Sequence, residues 1–183
     1  DGVGNLTKKT LHRKKGNSKA DEVTTYSYDG NNNLICKTDA LGKKESYEYD
    51  PNGNLITVKN NSGKVVTSYS YDNDGNKTGI TYTDGKKVTY TYDGNKNVTE
   101  VADGDKKTEY TYDSDNNRIT KTEGKVTQES TYDIYGNVLT VSRKENGTSK
   151  LIESYEYDLN GNVTKHYESG IITCLLYTSP SPR

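Results

Sequence analysis

Tyr47-Glu48-Tyr49-Asp50-Pro51-Asn52-Gly53-Asn54-Leu55 is the stretch whose reading decides the fold. Asp at the first position of a tight turn accepts hydrogen bonds from the turn's own backbone, and Pro suits the second position. Gly then takes the left-handed conformation that closes a type I turn with a bulge. The preceding Tyr-x-Tyr is strand-forming, and alternation along a strand puts Tyr47 and Tyr49 on one face and Glu48 on the other. The nine residues therefore spell strand, corner, strand.

The stretch recurs. Tyr26-Ser27-Tyr28-Asp29, Tyr69-Ser70-Tyr71-Asp72, Tyr90-Thr91-Tyr92-Asp93, Tyr110-Thr111-Tyr112-Asp113 and Tyr155-Glu156-Tyr157-Asp158 repeat it, with Ser130-Thr131-Tyr132-Asp133 as a degraded copy. Successive Asp are 21, 22, 21, 20, 20 and 25 residues apart. Four residues after each comes Asn: Asn33, Asn54, Asn76, Asn97, Asn117, Asn137 and Asn162. Asp1 and Asn5 keep the same spacing, so the chain holds eight corners and begins on one of them. The left-handed slot carries Gly4, Gly53, Gly75, Gly136 or Gly161, and elsewhere Asn32 or Asn116, which also tolerate positive φ. Lys96 breaks the rule, and Gly94 is expected to shift the turn register there.

Midway between corners lies a second turn signal: Leu41-Gly42-Lys43, Ser62-Gly63-Lys64, Asp84-Gly85-Lys86, Asp103-Gly104-Asp105, Glu123-Gly124-Lys125 and Asn146-Gly147-Thr148. Each repeat is thus two short strands and two turns, and helical spacing is absent. The pattern predicts an all-β chain of tandem β-hairpin repeats in an antiparallel sheet of about 14 strands, close to 70 Å wide at roughly 4.8 Å per strand. Open sheets beyond about 10 strands curl, split or pack on something else, so a curved or spiral sheet with further neighbours is expected. Successive repeats would stack their tyrosines into ladders, leaving the other face polar and wet.

Composition agrees with a thin sheet. Leu, Ile and Val make up 30 of 183 residues, about 16%, while Tyr contributes 17 and Phe, Trp and Met none. A net charge of -1 supplies no self-repulsion to keep the chain unfolded and no electrostatic footprint for nucleic acid. The one basic run, His12-Arg13-Lys14-Lys15, reads as a solvated loop between repeats. No run of about 18 apolar residues occurs, so no membrane-spanning helix is expected. Cys36 and Cys174 are too few for a disulfide framework and leave the redox compartment open.

Catalytic and ligand chemistry is sparse. His12 and His166 fall in separate repeats, neither Cys has a His nearby in sequence, and neither a nucleophile elbow nor a phosphate-cradling Gly motif occurs. Asp72-Asn73-Asp74-Gly75-Asn76 begins like a calcium loop, but its twelfth position is Thr83 rather than an acid, and turn capping accounts for the Asp and Asn without an ion. No cofactor or metal is expected, and no catalysis. Two uses remain for the tyrosine rows: cross-strand packing that replaces missing aliphatic mass, or stacking on sugar rings in a glycan-binding, adhesin-like array.

The Tyr-x-Tyr-Asp unit, the Gly-Asn-Leu or Gly-Asn-Val corner, the mid-repeat Gly-Lys turn and the period of about 21 residues resemble the RHS/YD-repeat proteins. These include bacterial Rhs and wall-associated polymorphic toxins, the cocoon-forming subunits of insecticidal toxin complexes, and the extracellular teneurins. The resemblance covers residues 1–168. It implies a spiral β-sheet closing into a hollow shell, commonly around a C-terminal toxin domain, in a secreted or cell-surface protein whose partner is the rest of its own parent chain. Shell-forming members end their repeats in an Asp-Pro-x-Gly-Arg motif associated with release of the C-terminal piece. Here Asn54 replaces that Arg and further repeats follow, so Asp50–Asn54 reads as an ordinary corner. Residues 169–183 lack the repeat signature, and the last ten look like sequencing-adaptor read-through or a linker.

Overall fold

The computed structural model describes residues 1–15, 18–168 and 171–174. The expectation of an adaptor-derived end therefore falls, apart from Cys174, outside the described residues. All regular structure among them is β-strand, and no helix is long and apolar enough to cross a membrane. The chain divides into two compact units, Asp1–Thr89 and Tyr90–Arg183.

The first unit contains β1 (Lys8–Lys15), β2 (Ser18–Tyr28), β3 (Leu34–Thr38), β4 (Lys44–Tyr49), β5 (Leu55–Lys59), β6 (Val65–Tyr71), β7 (Lys77–Tyr82) and the start of β8 (Lys87–Tyr92). Each pairs antiparallel with the next. The second unit takes the end of β8 and then β9 (Val98–Asp103), β10 (Lys106–Tyr112), β11 (Arg118–Glu123), β12 (Val126–Tyr132), β13 (Val138–Glu145), β14 (Thr148–Tyr157), β15 (Val163–Glu168) and β16 (Ile171–Cys174). From β9 to β16 every neighbour in sequence is again the antiparallel neighbour in the sheet. The hairpins are those expected from the repeat. Sixteen strands rather than about 14 arise because the eighth corner, Asp158–Asn162, carries its own hairpin, β15–β16. Ile171–Cys174 thus join the sheet although they lack the repeat's residues.

Register assigns chemistry to the two faces. In the first unit Tyr26, Tyr47 and Tyr69 lie opposite Lys37, Val58 and Ile80, and Ile80 lies opposite Val88. The reverse face brings together Ser27, Cys36, Ser46, Thr57, Ser68 and Thr81. In the second unit the tyrosine face includes Val141, which at 6% exposure is the buried hydrophobic residue among those described. Its reverse face pairs hydroxyls directly, Thr111 with Thr120 at 2.7 Å and Thr131 with Thr140 at 2.6 Å. In every Tyr-x-Tyr unit both rings are half-buried and the residue between them is exposed, as alternation requires.

The tyrosine ladder needs correction. Tyr26 and Tyr28 stand on β2, Tyr47 and Tyr49 on β4, and β3 runs between them. Two strand spacings separate successive rows by about 9.6 Å, beyond the 4.5–7 Å at which rings interact. Rings instead meet their own strand or its neighbour: Tyr155 lies 6.5 Å from Tyr157 and stacks on His166 at 4.5 Å. Lys77 and Arg118 sit over Tyr69 and Tyr110.

The unequal repeat lengths also acquire causes. The mid-repeat turns at Asp39–Lys43, Asn60–Lys64 and Tyr82–Lys86 are three-residue loops, closed by Gly42, Gly63 and Gly85 at positive φ. Those at Gly104-Asp105 and Gly124-Lys125 are two-residue loops with Gly at positive φ in the first place, as a type II′ hairpin demands. That one-residue difference separates the steps of 21 from those of 20. The 22-residue step contains a bulge opposite the Val58/Lys59 junction. The 25-residue step has longer strands, a bulge in β14 at Ile152, and an Asn146-Gly147 loop with both φ positive.

Lys96 does not shift the corner. Its φ is +68°, its N–H donates to the Asp93 carbonyl at 3.1 Å, and Gly94 is not in the left-handed region. The surrounding hydrogen bonds impose the conformation on a residue that pays about 1 kcal/mol to adopt it. Replacing it should therefore help: Lys96→Gly is expected to raise stability by about 0.5–1 kcal/mol in a denaturant titration. A loss of stability would show that the lysine side chain stabilises the corner by other means.

Candidate functional site

The repeated chemistry converges at the corners. In each, the Asp N–H donates to the carbonyl of the Asn four residues on, and the residue in the left-handed slot donates back to the Asp carbonyl. Asp50 shows this at 2.9 Å to Asn54 and 3.0 Å from Gly53. The carboxylate then closes the corner from inside. One oxygen of Asp50 accepts the N–H of Asn52 at 2.9 Å and of Asn54 at 2.8 Å, and the other accepts the Asn54 side-chain amide at 2.9 Å. The same three donors surround Asp1, Asp29, Asp72, Asp93, Asp113, Asp133 and Asp158. Asn at the fifth position is therefore a donor to the carboxylate and not merely a turn former.

These donors favour the ionised acid. The carboxyls of Asp50, Asp93, Asp113, Asp133 and Asp158 are held below the usual carboxylate range chiefly by the side-chain amides of their Asn, and that of Asp29 chiefly by the Asn33 N–H. With one oxygen accepting backbone N–H groups and the other the Asn side-chain amide, the corner carboxylates are committed to their own corners. Among the described residues no group of three His, Cys, Asp or Glu is placed to hold a metal.

In six of the units the Tyr directly before the corner Asp ties the corner to the previous repeat. Tyr49 Oη donates to the Leu34 carbonyl at 2.9 Å, Tyr71 to Leu55 at 2.9 Å, Tyr112 to Val98 at 2.8 Å and Tyr157 to Val138 at 2.8 Å. Tyr28 and Tyr132 do the same with Leu6 and Arg118. Each acceptor directly follows a corner Asn, where the ladder to the next strand has ended: β3 and β4 pair no further than Cys36 with Ser46. The hydroxyl satisfies a carbonyl that the diverging strands leave open. Beside it a bulge recurs, with Ser27 opposite Cys36 but Tyr28 opposite Leu34, and equivalents at Tyr49, Tyr71, Tyr112, Tyr132 and Tyr157. Sequence reading found the Tyr, Asp, Gly and Asn of this arrangement but missed the bulge and the hydroxyl bridge. The spacing from corner Asn to bridging Tyr varies between 15 and 23 residues, so no fixed interval signals the pairing.

The first Tyr behaves differently. Tyr47 and Tyr155 donate to Glu45 and Glu153 two residues earlier on their own strands, at 2.9 and 2.6 Å. Burial foremost in Tyr47, and the Glu153 hydrogen bond foremost in Tyr155, push both phenols up to about 12. His12 belongs to the first unit and His166 to the second. His12 Nδ1 contacts Asp21 at 2.7 Å on an exposed surface, and His166 lies flat against Tyr155. Among the described residues, the contacts of His12 and His166 are with Asp21 and Tyr155 respectively.

Comparison with known proteins places this architecture. A model of the RHS repeat matches residues 28–65 and 49–87, and one of the teneurin YD-shell matches residues 76–169, more than half of the chain. The chain belongs to the RHS and teneurin YD-shell repeat family. No curated protein matches it in sequence. Among solved structures, TcdB2-TccC3 without its hypervariable C-terminal region aligns with a TM-score of 0.69 at 16% identity, over 88% of this chain and 10% of that one. The Tc holotoxin pore of Photorhabdus luminescens aligns over 87% of this chain and 13% of that one, at 15% identity and a TM-score of 0.42. The first likeness is one of fold. The YD-repeat chain spans about a tenth of that relative's length.

Three outcomes follow from the corner and its tyrosine. Tyr112→Phe, which keeps the ring and loses the hydroxyl, should cost about 1 kcal/mol in denaturant unfolding, whereas Tyr110→Phe should be nearly neutral. Because Asp29, Asp50, Asp93, Asp113, Asp133 and Asp158 are more acidic folded than unfolded, their contribution is present above about pH 4 and lost as pH falls through the lowered folded values. Melting temperature should accordingly drop in acid, and an acid-independent melt would contradict the corner assignment. At the alkaline end the phenols of Tyr47 and Tyr155 are raised on folding. Their contribution persists below about pH 10, disappears as pH rises through about 12, and is readable as late-titrating phenolate absorbance.

Proposed function

We propose that residues 1–168 form part of the wall of a YD shell in a secreted or cell-surface bacterial protein, and that this wall encloses or presents a C-terminal toxin domain. The role is structural rather than catalytic. The observation that carries the reading is the use to which the polar groups of each repeat are put. The carboxylate binds the backbone of its own corner, the Asn amide binds that carboxylate, and the second phenol bonds to the backbone of the preceding repeat. Residues so committed build a surface and leave little for chemistry.

Two further points support it. Each repeat extends the sheet by one hairpin next to the previous one, which suits a continuous wall. The similar solved protein is described as having a hypervariable C-terminal region, the arrangement expected where one wall serves different payloads. The competing idea, glycan binding by tyrosine rows, draws less support. The rings are half-buried, their rows are a full strand apart, and the hydroxyls of Tyr47, Tyr49, Tyr71 and Tyr112 are already bonded.

The test is limited proteolysis and electron microscopy of the parent protein. A hollow particle in which the C-terminal domain resists protease until the repeats are denatured is the expected result. A C-terminal domain digested freely while the repeats stay intact would sink the enclosure. Saturable glycan binding abolished by Tyr→Ala changes, with folding retained, would favour the adhesin reading instead.

A further inference from the structure

The corners of successive repeats touch, and the residue in the left-handed slot decides how. Asn5 Nδ2 donates to Asn32 Oδ1 of the next corner at 2.9 Å, in the first unit. In the second, Asn97 Nδ2 donates to Asn116 Oδ1 at 2.8 Å and Asn95 Nδ2 to the same oxygen at 3.1 Å. Asn32 and Asn116 are the two slots occupied by Asn, with φ of +65° and +66°. Where the slot is Gly the neighbour is often still near. A Cβ on Gly75 would lie 4.0 Å from Asn54 Oδ1, and one on Gly136 would lie 3.3 Å from Asn117 Oδ1. A Cβ built on Gly53 or Gly161 would meet nothing within 4 Å beyond its chain neighbours.

We propose that the left-handed slot is an inter-repeat latch: Asn locks its corner to the preceding one through a side-chain amide, and Gly leaves that junction unlatched. The donor is already oriented, because the Asn97 amide that reaches Asn116 also donates to Asp93 Oδ2 at 3.0 Å. Its two hydrogens thus serve one corner each. Asn at positive φ is more strained than Gly, so the bond across the junction is what offsets the choice. The wall consequently has stiff and loose junctions set residue by residue along one edge, independent of what it encloses.

Hydrogen exchange on the intact chain tests this at a place the mutation does not touch. Asn116→Gly supplies the residue best suited to that φ, so its own corner should fold at least as well. The latch requires that the amide of Asn97, in the preceding corner, exchange about two- to tenfold faster, the equivalent of losing one net hydrogen bond. Asn32→Gly should do the same to the amide of Asn5. Unchanged exchange at Asn97 and Asn5, or changes confined to the mutated corners, would overturn the latch.

Discussion

The carboxylate of the corner Asp is the group on which the rest depends. Three N–H donors converge on it from residues two and four positions later, and this can happen only if the chain reverses within those five residues. One side chain therefore fixes the turn, the left-handed residue at its fourth place and the direction of the following strand. Asn completes the arrangement because its amide reaches the second oxygen, which a backbone group cannot. A charged acceptor makes these bonds stronger than neutral ones, and that explains why the slot can hold Asn or Lys without loss of the corner. The geometry is set by the acid, and the left-handed residue complies.

From the corner the tyrosine follows. Closing a tight turn after Asp forces the outgoing strand to begin one residue out of step, and the mismatch appears as the recurrent bulge beside the second Tyr. The strands of adjacent repeats separate there, leaving a carbonyl that no strand reaches. A phenol long enough to reach the adjacent strand, with an apolar body to cover the gap and a donor at its tip, fills that need where Phe or Leu would not. The absence of Phe from a chain with 17 Tyr is then physical rather than incidental. A sheet with about one-sixth Leu, Ile and Val replaces part of a missing core with rings whose tips are hydrogen-bonded.

Much of this was legible in the residues alone. The period, both turns, the face on which the tyrosines lie and the antiparallel hairpins all follow from local rules that operate within a few residues. What could not be read is what happens between repeats. Ring ladders looked reasonable from a one-dimensional alignment of Tyr47 with Tyr69, yet the intervening strand β5 keeps those rows apart. Lys96 looked like a defect because propensity was weighed without the Asp93 carboxylate that overrides it. The second tyrosine's partner, the carbonyl after the previous Asn, lies 14 to 22 residues away in sequence and has no signature of its own.

The two edges of the repeat are under different physical constraints as a result. Every corner runs from Asp to Asn in five residues, because the carboxylate cannot reach a longer loop. The mid-repeat turns have no such group in common: Asp39 and Asn60 cap theirs with a side chain, Gly104 and Gly124 rely on a two-residue loop, and Asn146-Gly147 tops a lengthened hairpin. All the variation in repeat length therefore falls between corners, in loop size, in bulges at Val66 and Ile152, and in the extension of β13 and β14. An insertion there leaves the carboxylate, the amide and the tyrosine bridge untouched, since none of them lies on that edge. Divergence in a protein built this way can accumulate along one edge of the sheet while the other continues to hold the strands in step.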